Sequence, residues 1–234
     1  PDLNDPNFNI KIEQKKEFND TKYDGTIHNI EEYAEILKNA DYELLPHQLF
    51  VRNFMSFQTP YNSLLLFHGL GSGKTCGGIG VCEEMRDYLK QMGINKRIII
   101  VASPNVQDNF KLQLFDERKL KKVNNIWTIT GCLGNKLLKE INPTNMKFLT
   151  KDKIVSLVKT LINTSYSFLG YTQFSNDIVR NGGNNPNTRE HNLQEVYSNR
   201  LIIIDEVHNI RISGENDNKE VAKGEATVMA PGKK

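Results

Sequence analysis

The segment SLLLFHGLGSGKT, residues 63–75, joins three structural signals in a short stretch of chain. The apolar run 63–67 is typical of a strand buried on both faces of a sheet. It leads into a turn that contains Gly69, Gly71 and Gly73, and the pattern of residues 75–91 predicts the helix that follows. A strand, a glycine-rich turn and a helix in this order predict a parallel α/β domain with an anion-binding turn.

The glycine-rich turn carries the chemistry expected of a triphosphate site. Glycines let successive backbone N–H groups face inward, and the start of the next helix favours negative charge. We expect Lys74 to reach the β- and γ-phosphates and the Thr75 hydroxyl to ligate Mg²⁺. The residues expected to bind ATP in this turn are Gly69, Leu70, Gly71, Ser72, Gly73, Lys74 and Thr75.

His68 departs from the strict phosphate-loop pattern, which has glycine six residues before the lysine. A glycine-rich turn with a chance Lys-Thr pair therefore remains an alternative at this point. A phosphate loop alone also does not distinguish a kinase from a GTPase or a motor.

A second motif follows an apolar run near the end of the chain, LIIIDEVH at residues 201–208. Ligands of open α/β sheets bind at the carboxyl ends of strands, where Asp205 and Glu206 stand. We expect Asp205 to hold Mg²⁺, largely through water, and Glu206 to orient and deprotonate the attacking water. For His208 we expect a coupling role and not metal ligation, because no cluster of histidines or cysteines surrounds it.

Short apolar runs alternate with helical patterns through the rest of the chain. Together with residues 63–67, strands are predicted at residues 97–102, 125–130, 166–169 and 201–204. Helices are predicted between them at residues 106–120, 133–139, 151–163, 173–180 and 188–198. Right-handed crossovers would assemble these elements into an open, mostly parallel sheet with helices on both faces.

The N-terminal quarter of the chain does not show this alternation of strand and helix patterns. Residues 1–27 predict an irregular lead-in, and residues 28–40 and 46–57 predict two amphipathic helices. We expect one domain over residues 28–223 and a tail over residues 224–234, for which an artificial origin stays open. Because the chain begins at Pro1, we expect it to be part of a longer protein.

Composition adds only broad limits. The 234 residues are 38% hydrophobic and 25% charged, with a net charge of +2, so bulk charge does not indicate a nucleic-acid binder. The three cysteines, Cys76, Cys82 and Cys132, show no paired spacing and predict reduced thiols in an intracellular protein. No apolar run is long enough to predict a membrane span.

The motifs GSGKT (residues 71–75) and DEVH (residues 205–208) resemble motifs I and II of superfamily 2 helicases. That family tolerates a residue other than glycine at the position of His68. LPHQ (residues 45–48) resembles the Q-motif, which implies that Gln48 reads the adenine edge. Residues 101–105 and 168–174 resemble segments that contact the nucleic-acid backbone, which implies contacts from Ser103, Asn105 and Thr172.

Within that superfamily the chain is most similar to helicase-like ATPases of large cytoplasmic DNA viruses. This group includes the poxvirus early transcription factor small subunit and nucleoside triphosphate phosphohydrolase I. The resemblance implies a RecA-like P-loop domain that uses ATP and Mg²⁺, binds DNA or RNA, and works with transcription machinery in host cytoplasm or virion, away from membranes.

The same resemblance implies a second RecA-like domain with an arginine finger, and we expect that domain to lie outside this chain. The chain alone should then bind nucleotide and hydrolyse it slowly or not at all. Two other functions stay open. One is another P-loop enzyme, either an AAA+ ATPase or a kinase, although the helix after the loop offers a kinase only Arg86. The other is a catalytically idle RecA-like scaffold in a viral transcription complex.

Overall fold

The computed structural model describes residues 1–23, 25–26, 29, 31, 44–69, 71–143 and 148–210. The chain divides into two compact units. The first comprises Pro1–Ile94 and Phe110–Thr160, and the second comprises Asn95–Asn109 and Leu161–Lys234. Most of the predicted helix at residues 28–40, and the whole predicted tail at 224–234, lie outside the described residues.

The described elements form a mixed α/β protein. Its strands are β1 (Ile98–Val101), β2 (Lys121–Val123), β3 (Ile126–Thr128), β4 (Tyr166–Leu169) and β5 (Ile202–Ile204). Its first helices are α1 (Phe8–Glu13), α2 (Lys16–Asn19), α3 (Pro46–Phe54) and α4 (Lys74–Gln91). The later helices are α5 (Pro104–Leu114), α6 (Lys136–Ile141), α7 (Lys151–Ser165), α8 (Tyr171–Gly182) and α9 (Pro186–Tyr197).

A parallel three-stranded sheet lies in the second unit, with the strand order β4-β1-β5. All four residues of β1 are buried, as its uninterrupted apolar sequence predicts for a central strand. Ile99 and Val101 of β1 pack with Phe174 and Ile178 of α8 and with Leu193 of α9. Because the strands are parallel, their carboxyl ends lie at one edge of the sheet.

The predicted helices that lie within the described residues are confirmed, with shifted ends. The largest shift is in the predicted helix 106–120, which ends at Leu114. Two residues later the Asp116 side chain accepts a hydrogen bond from the Arg118 N–H and starts a separate 3-10 turn. Within the described residues, no helix combines the length and the apolar composition needed to cross a bilayer.

The N-terminal lead-in is not irregular throughout, as the sequence had suggested. It contains α1 and α2, and Ile12 and Phe18 from these helices are buried against Phe54 and Tyr61. The pattern is hard to detect because each helix is too short to show a full amphipathic period.

The strand predicted at residues 63–67 is wrong for this structure. The segment has no strand assignment and pairs with no strand among the described residues. Leu65 is 72% exposed and Phe67 is 97% exposed, whereas a central strand would bury both side chains. The helix after the phosphate loop forms nevertheless, from Lys74 onward.

The run at residues 125–130 is also not a strand of the parallel sheet. Its central part, β3, pairs with β2 in an antiparallel hairpin within the first unit. The turn between them is Asn124-Asn125, and both residues have positive φ, 48° and 63°. Two such residues match the right-handed twist of a tight hairpin, so the pair of asparagines was a signal for this turn.

Candidate nucleotide site

The glycine-rich turn before α4, predicted to bind phosphate and called the phosphate loop below, has glycines in the left-handed region. Gly71 has φ +79° and Gly73 has φ +73°, values that L side chains rarely adopt. Gly73 directly precedes α4, so the loop delivers the chain to the N-terminus of an 18-residue helix. A Cβ atom on Gly73 would lie 2.5 Å from Nε2 of Gln48. The φ of Gly73 therefore favours glycine, and any larger residue would also displace the Gln48 amide.

Lys74 folds back over its own loop. Its ammonium donates hydrogen bonds to the carbonyl oxygens of His68, at 2.9 Å, and Gly69, at 3.4 Å. The Ser72 hydroxyl donates to the same Gly69 carbonyl at 3.0 Å. These oxygens hold the ammonium where phosphate oxygens could replace them as acceptors. Thr75 is partly buried in the first turn of α4, and Leu70 lies outside the described residues.

Gln48 fastens the loop to α3. Its Oε1 accepts from the Leu45 N–H at 2.9 Å, and its Nε2 donates to the Gly73 carbonyl at 3.0 Å. The side chain is buried, with only 3% of the residue exposed. The structure thus gives Gln48 a backbone-holding role that the sequence did not indicate, and its contact with adenine stays a prediction.

A disulfide joins Cys76, in the first turn of α4, to Cys132. The prediction of three reduced thiols is therefore wrong for this pair. The residues lie 56 positions apart with a Cα–Cα distance of 5.3 Å, so no local spacing pattern marks them. Cys82 is free and buried, and burial raises the pKa of its thiol well above the ordinary value.

Farther along α4, Arg86 is fixed by two carboxylates. Its guanidinium contacts Glu83 at 2.6 Å and Glu140 at 2.8 Å. Burial acts to lower the pKa of Arg86, but the hydrogen bonds that its guanidinium donates to Glu83 and Glu140 outweigh it and raise that pKa above its usual range. Arg86 is thus committed to α4 and α6, and gives no support to a kinase that would need it for phosphate.

The acidic motif follows β5 in the second unit. The Asp205 N–H donates to the Val101 carbonyl at 3.0 Å, and the Tyr171 hydroxyl donates to the Asp205 carbonyl at 2.9 Å. Main-chain bonds therefore continue the sheet up to the residue that carries the first carboxylate. Glu206 has φ +50°, and its Oε2 lies 3.2 Å from Nδ1 of His208.

The predicted nucleic-acid residues lie near the same edge of the sheet. Ser103 and Asn105 follow β1, and Thr172 follows β4, at the starts of α5 and α8. Gln107 ties the first of these turns, since its Nε2 donates to the Ala102 carbonyl at 2.8 Å. Asn105 and Thr172 are exposed and Ser103 is partly exposed. Their contact with nucleic acid stays a prediction.

Lys74 and Thr75 belong to the first unit, and Asp205 and Glu206 belong to the second. The shared magnesium site predicted for them stays a prediction. The donors themselves fit, because a hydroxyl and a carboxylate are the oxygen ligands that Mg²⁺ accepts beside its waters. Within the described ranges, no cluster of three or more histidines, cysteines and acidic residues could hold a metal by itself.

Known proteins resemble the chain over most of its length. Two proteins of Acanthamoeba polyphaga mimivirus, each named "Putative ATP-dependent RNA helicase", are 25% and 28% identical to it over 82% and 89% of the chain. The "Early transcription factor 70 kDa subunit" of Melanoplus sanguinipes entomopoxvirus is 26% identical over 71% of the chain. The chain is similar to helicase-like proteins of large DNA viruses.

The resemblance that GSGKT and DEVH indicated is thereby confirmed. These viral helicase-like relatives are much longer than the chain, which spans 17% and 30% of the two mimivirus proteins and 19% of the entomopoxvirus subunit. No family model matches the chain, and no solved structure matches it.

Proposed function

We propose that this chain is the ATP-binding module, with a RecA-like fold, of a helicase or translocase that acts on DNA or RNA. The observation that carries the proposal is the loop geometry. A lysine ammonium lies over a loop with two left-handed glycines, at the start of a long helix. That arrangement suits a nucleotide phosphate, and the viral relatives are named as ATP-dependent helicases.

In the proposed site each residue has one task. The loop from Gly69 to Gly73 surrounds the phosphates with backbone N–H groups, and Lys74 exchanges its carbonyl partners for phosphate oxygens. Thr75 and, through water, Asp205 would hold Mg²⁺, and a bound ion would supply neutralisation of phosphate charge.

Glu206 orients the attacking water and takes its proton. The contact with His208 limits the orientations open to the Glu206 carboxylate. His208 thereby links the carboxylate to any movement of the segment that follows β5. Turnover needs a second RecA-like domain that supplies an arginine, so the chain alone binds nucleotide and hydrolyses it slowly.

Ser103, Asn105 and Thr172 contact the nucleic-acid backbone from the helix starts that follow β1 and β4. Such contacts position a strand without reading its sequence. The names of the two mimivirus relatives specify RNA, and the name of the entomopoxvirus relative specifies transcription. We therefore propose transcription machinery as the setting in which the complete protein works.

Ligand-induced stabilisation tests the nucleotide site directly. A ligand that binds only the folded state stabilises it by about 2.7 kcal/mol at a hundredfold excess over Kd. Saturating Mg-ADP should raise the melting temperature of the chain, and Lys74→Ala should abolish that rise. Lys119→Ala, which removes an exposed lysine of the same unit, is the matched control and should keep it. Equal melting of wild type and Lys74→Ala in Mg-ADP would refute the site.

The motor activity requires the full-length protein. Its ATPase rate should rise with one of four polymers, single-stranded or duplex DNA or RNA. Stimulation by none of them, with nucleotide binding intact, would favour a scaffold or another P-loop enzyme and count against the proposal.

A further inference from the structure

His47 makes two hydrogen bonds that reach outside its own helix. Its Nε2 lies 2.8 Å from the carbonyl oxygen of Ser72, and its Nδ1 lies 2.7 Å from the hydroxyl of Tyr23. The imidazole therefore joins the N-terminal segment to the phosphate loop. All three residues belong to the first unit.

The partners decide the tautomer of this ring. A carbonyl oxygen can only accept, so Nε2 must carry the hydrogen that is shared with Ser72. In the neutral ring Nδ1 is then the acceptor, and Tyr23 donates its hydroxyl hydrogen to it. His68 packs edge-on against the same ring, with centroids 5.6 Å apart. The orientation of His47 is thus restrained by contacts with three groups.

His47 and Gln48 act on consecutive carbonyls. His47 holds the carbonyl of Ser72, and Gln48 holds that of Gly73. In a planar trans peptide the C=O and the following N–H point in opposite directions. Holding the Ser72 carbonyl against α3 therefore turns the Gly73 N–H away from α3, and holding the Gly73 carbonyl does the same for the Lys74 N–H.

We infer that His47 is a positioning residue of the phosphate loop, which sets the Ser72–Gly73 peptide plane so that the Gly73 N–H faces the phosphates. Tyr23 fixes the tautomer that makes this possible. This inference rests on the proposed nucleotide site, and it identifies His47 as a residue that determines the affinity of that site for nucleotide. It also makes the N-terminal segment part of that site, because the Tyr23 hydroxyl belongs to it.

Mg-ADP affinity of the chain, measured by titrated thermal shift, tests the inference. His47→Leu removes the donor and should weaken binding about tenfold, the equivalent of one hydrogen bond. His47→Gln keeps an N–H donor of similar reach and should stay within about threefold of wild type. Tyr23→Phe should weaken binding less than His47→Leu, and should add nothing when combined with it. His191→Leu, at an exposed histidine of α9, is the matched control and should bind as wild type does.

The outcomes separate the two proposals. If wild type shows no response to Mg-ADP, the proposed function fails. If wild type responds and His47→Leu binds equally well, the positioning role fails. His47→Gln could bind Mg-ADP as weakly as His47→Leu while both variants melt like wild type without nucleotide. That result would mean that packing of the ring, and not the hydrogen bond, sets the affinity, and the inference would be wrong. Should His47→Leu not fold, the Mg-ADP affinities of His47→Gln and Tyr23→Phe still test the positioning role. Nitrogen NMR of wild type is an independent test, since it must show the Nε2–H tautomer.

Discussion

The phosphate loop and the acidic strand end are held in place by different forces. Side chains hold the loop: Gln48 and His47 bind its carbonyls, and Arg86 anchors the helix behind it through two carboxylates. Main-chain sheet bonds and apolar packing hold the acidic end, where the Asp205 N–H extends the pairing of β5 with β1.

This difference predicts different sensitivities. A polar anchor depends on individual donors and acceptors, and loses its effect when one partner is removed. An apolar sheet depends on volume and tolerates changes in shape that preserve volume. Substitutions that alter one type of contact at a time should therefore separate the two regions.

The largest effect is expected at the buried ion pairs behind the loop. Arg86→Met would remove the guanidinium from Glu83, whose side chain is only 3% exposed, and would leave the Lys136 ammonium 3.2 Å from that carboxylate. Removing one partner of a buried pair lowers the free energy of unfolding, measured in urea, by up to about 3–5 kcal/mol, and Lys136 offsets part of that loss. Arg180→Met, at an arginine that is 77% exposed, should cost less than about 1 kcal/mol. Similar costs for the two variants would contradict a buried polar anchor.

A somewhat smaller effect is expected in the sheet. Ile100 lies in the central strand with 1% exposure, and Ile100→Ala should lower the free energy of unfolding by about 2–5 kcal/mol. Ile100→Val should cost only about 0.5–1.5 kcal/mol, because most of the volume remains. Equal losses from the two substitutions, in the same urea measurement, would mean that volume is not what holds this region.

The smallest effect on stability is expected at Gln48. Gln48→Leu keeps most of the volume of this buried side chain and loses both of its hydrogen bonds to the backbone. We expect the free energy of unfolding to fall by about 1 kcal/mol for each bond, and Mg-ADP binding to weaken. If Gln48→Leu binds Mg-ADP as wild type does, the bond to Gly73 does not shape the site.

The sequence predicted the regions in which local pattern and burial agree. The apolar runs at Tyr166–Leu169 and Ile202–Ile204 became parallel strands because nothing interrupts them. The glycines predicted the turn before α4, and the motifs GSGKT and DEVH indicated the similarity to viral helicase-like proteins. Periodicity placed α7 and α8 within two residues of their ends.

Contacts between distant residues were the part that the sequence did not show. Nothing near His47 indicates that its ring lies against Ser72, 25 positions later, or that Tyr23 binds its other nitrogen. The disulfide between Cys76 and Cys132 spans 56 positions. The Asn124-Asn125 pair is a turn signal for the hairpin, but the apolar run beside it has the composition of a buried strand.

The central proposal is that Lys74, Thr75 and Asp205 bind one magnesium nucleotide. Calorimetric titration of ADP at varied Mg²⁺ tests it, with wild type, Lys74→Ala, Asp205→Asn and the double variant. Mg²⁺ should strengthen binding to wild type by about tenfold, and Asp205→Asn should remove most of that gain. The effects of the two substitutions on the free energy of ADP binding should be non-additive with Mg²⁺ present and additive when a chelator removes it. An Asp205→Asn variant that keeps the full magnesium dependence would contradict the claim.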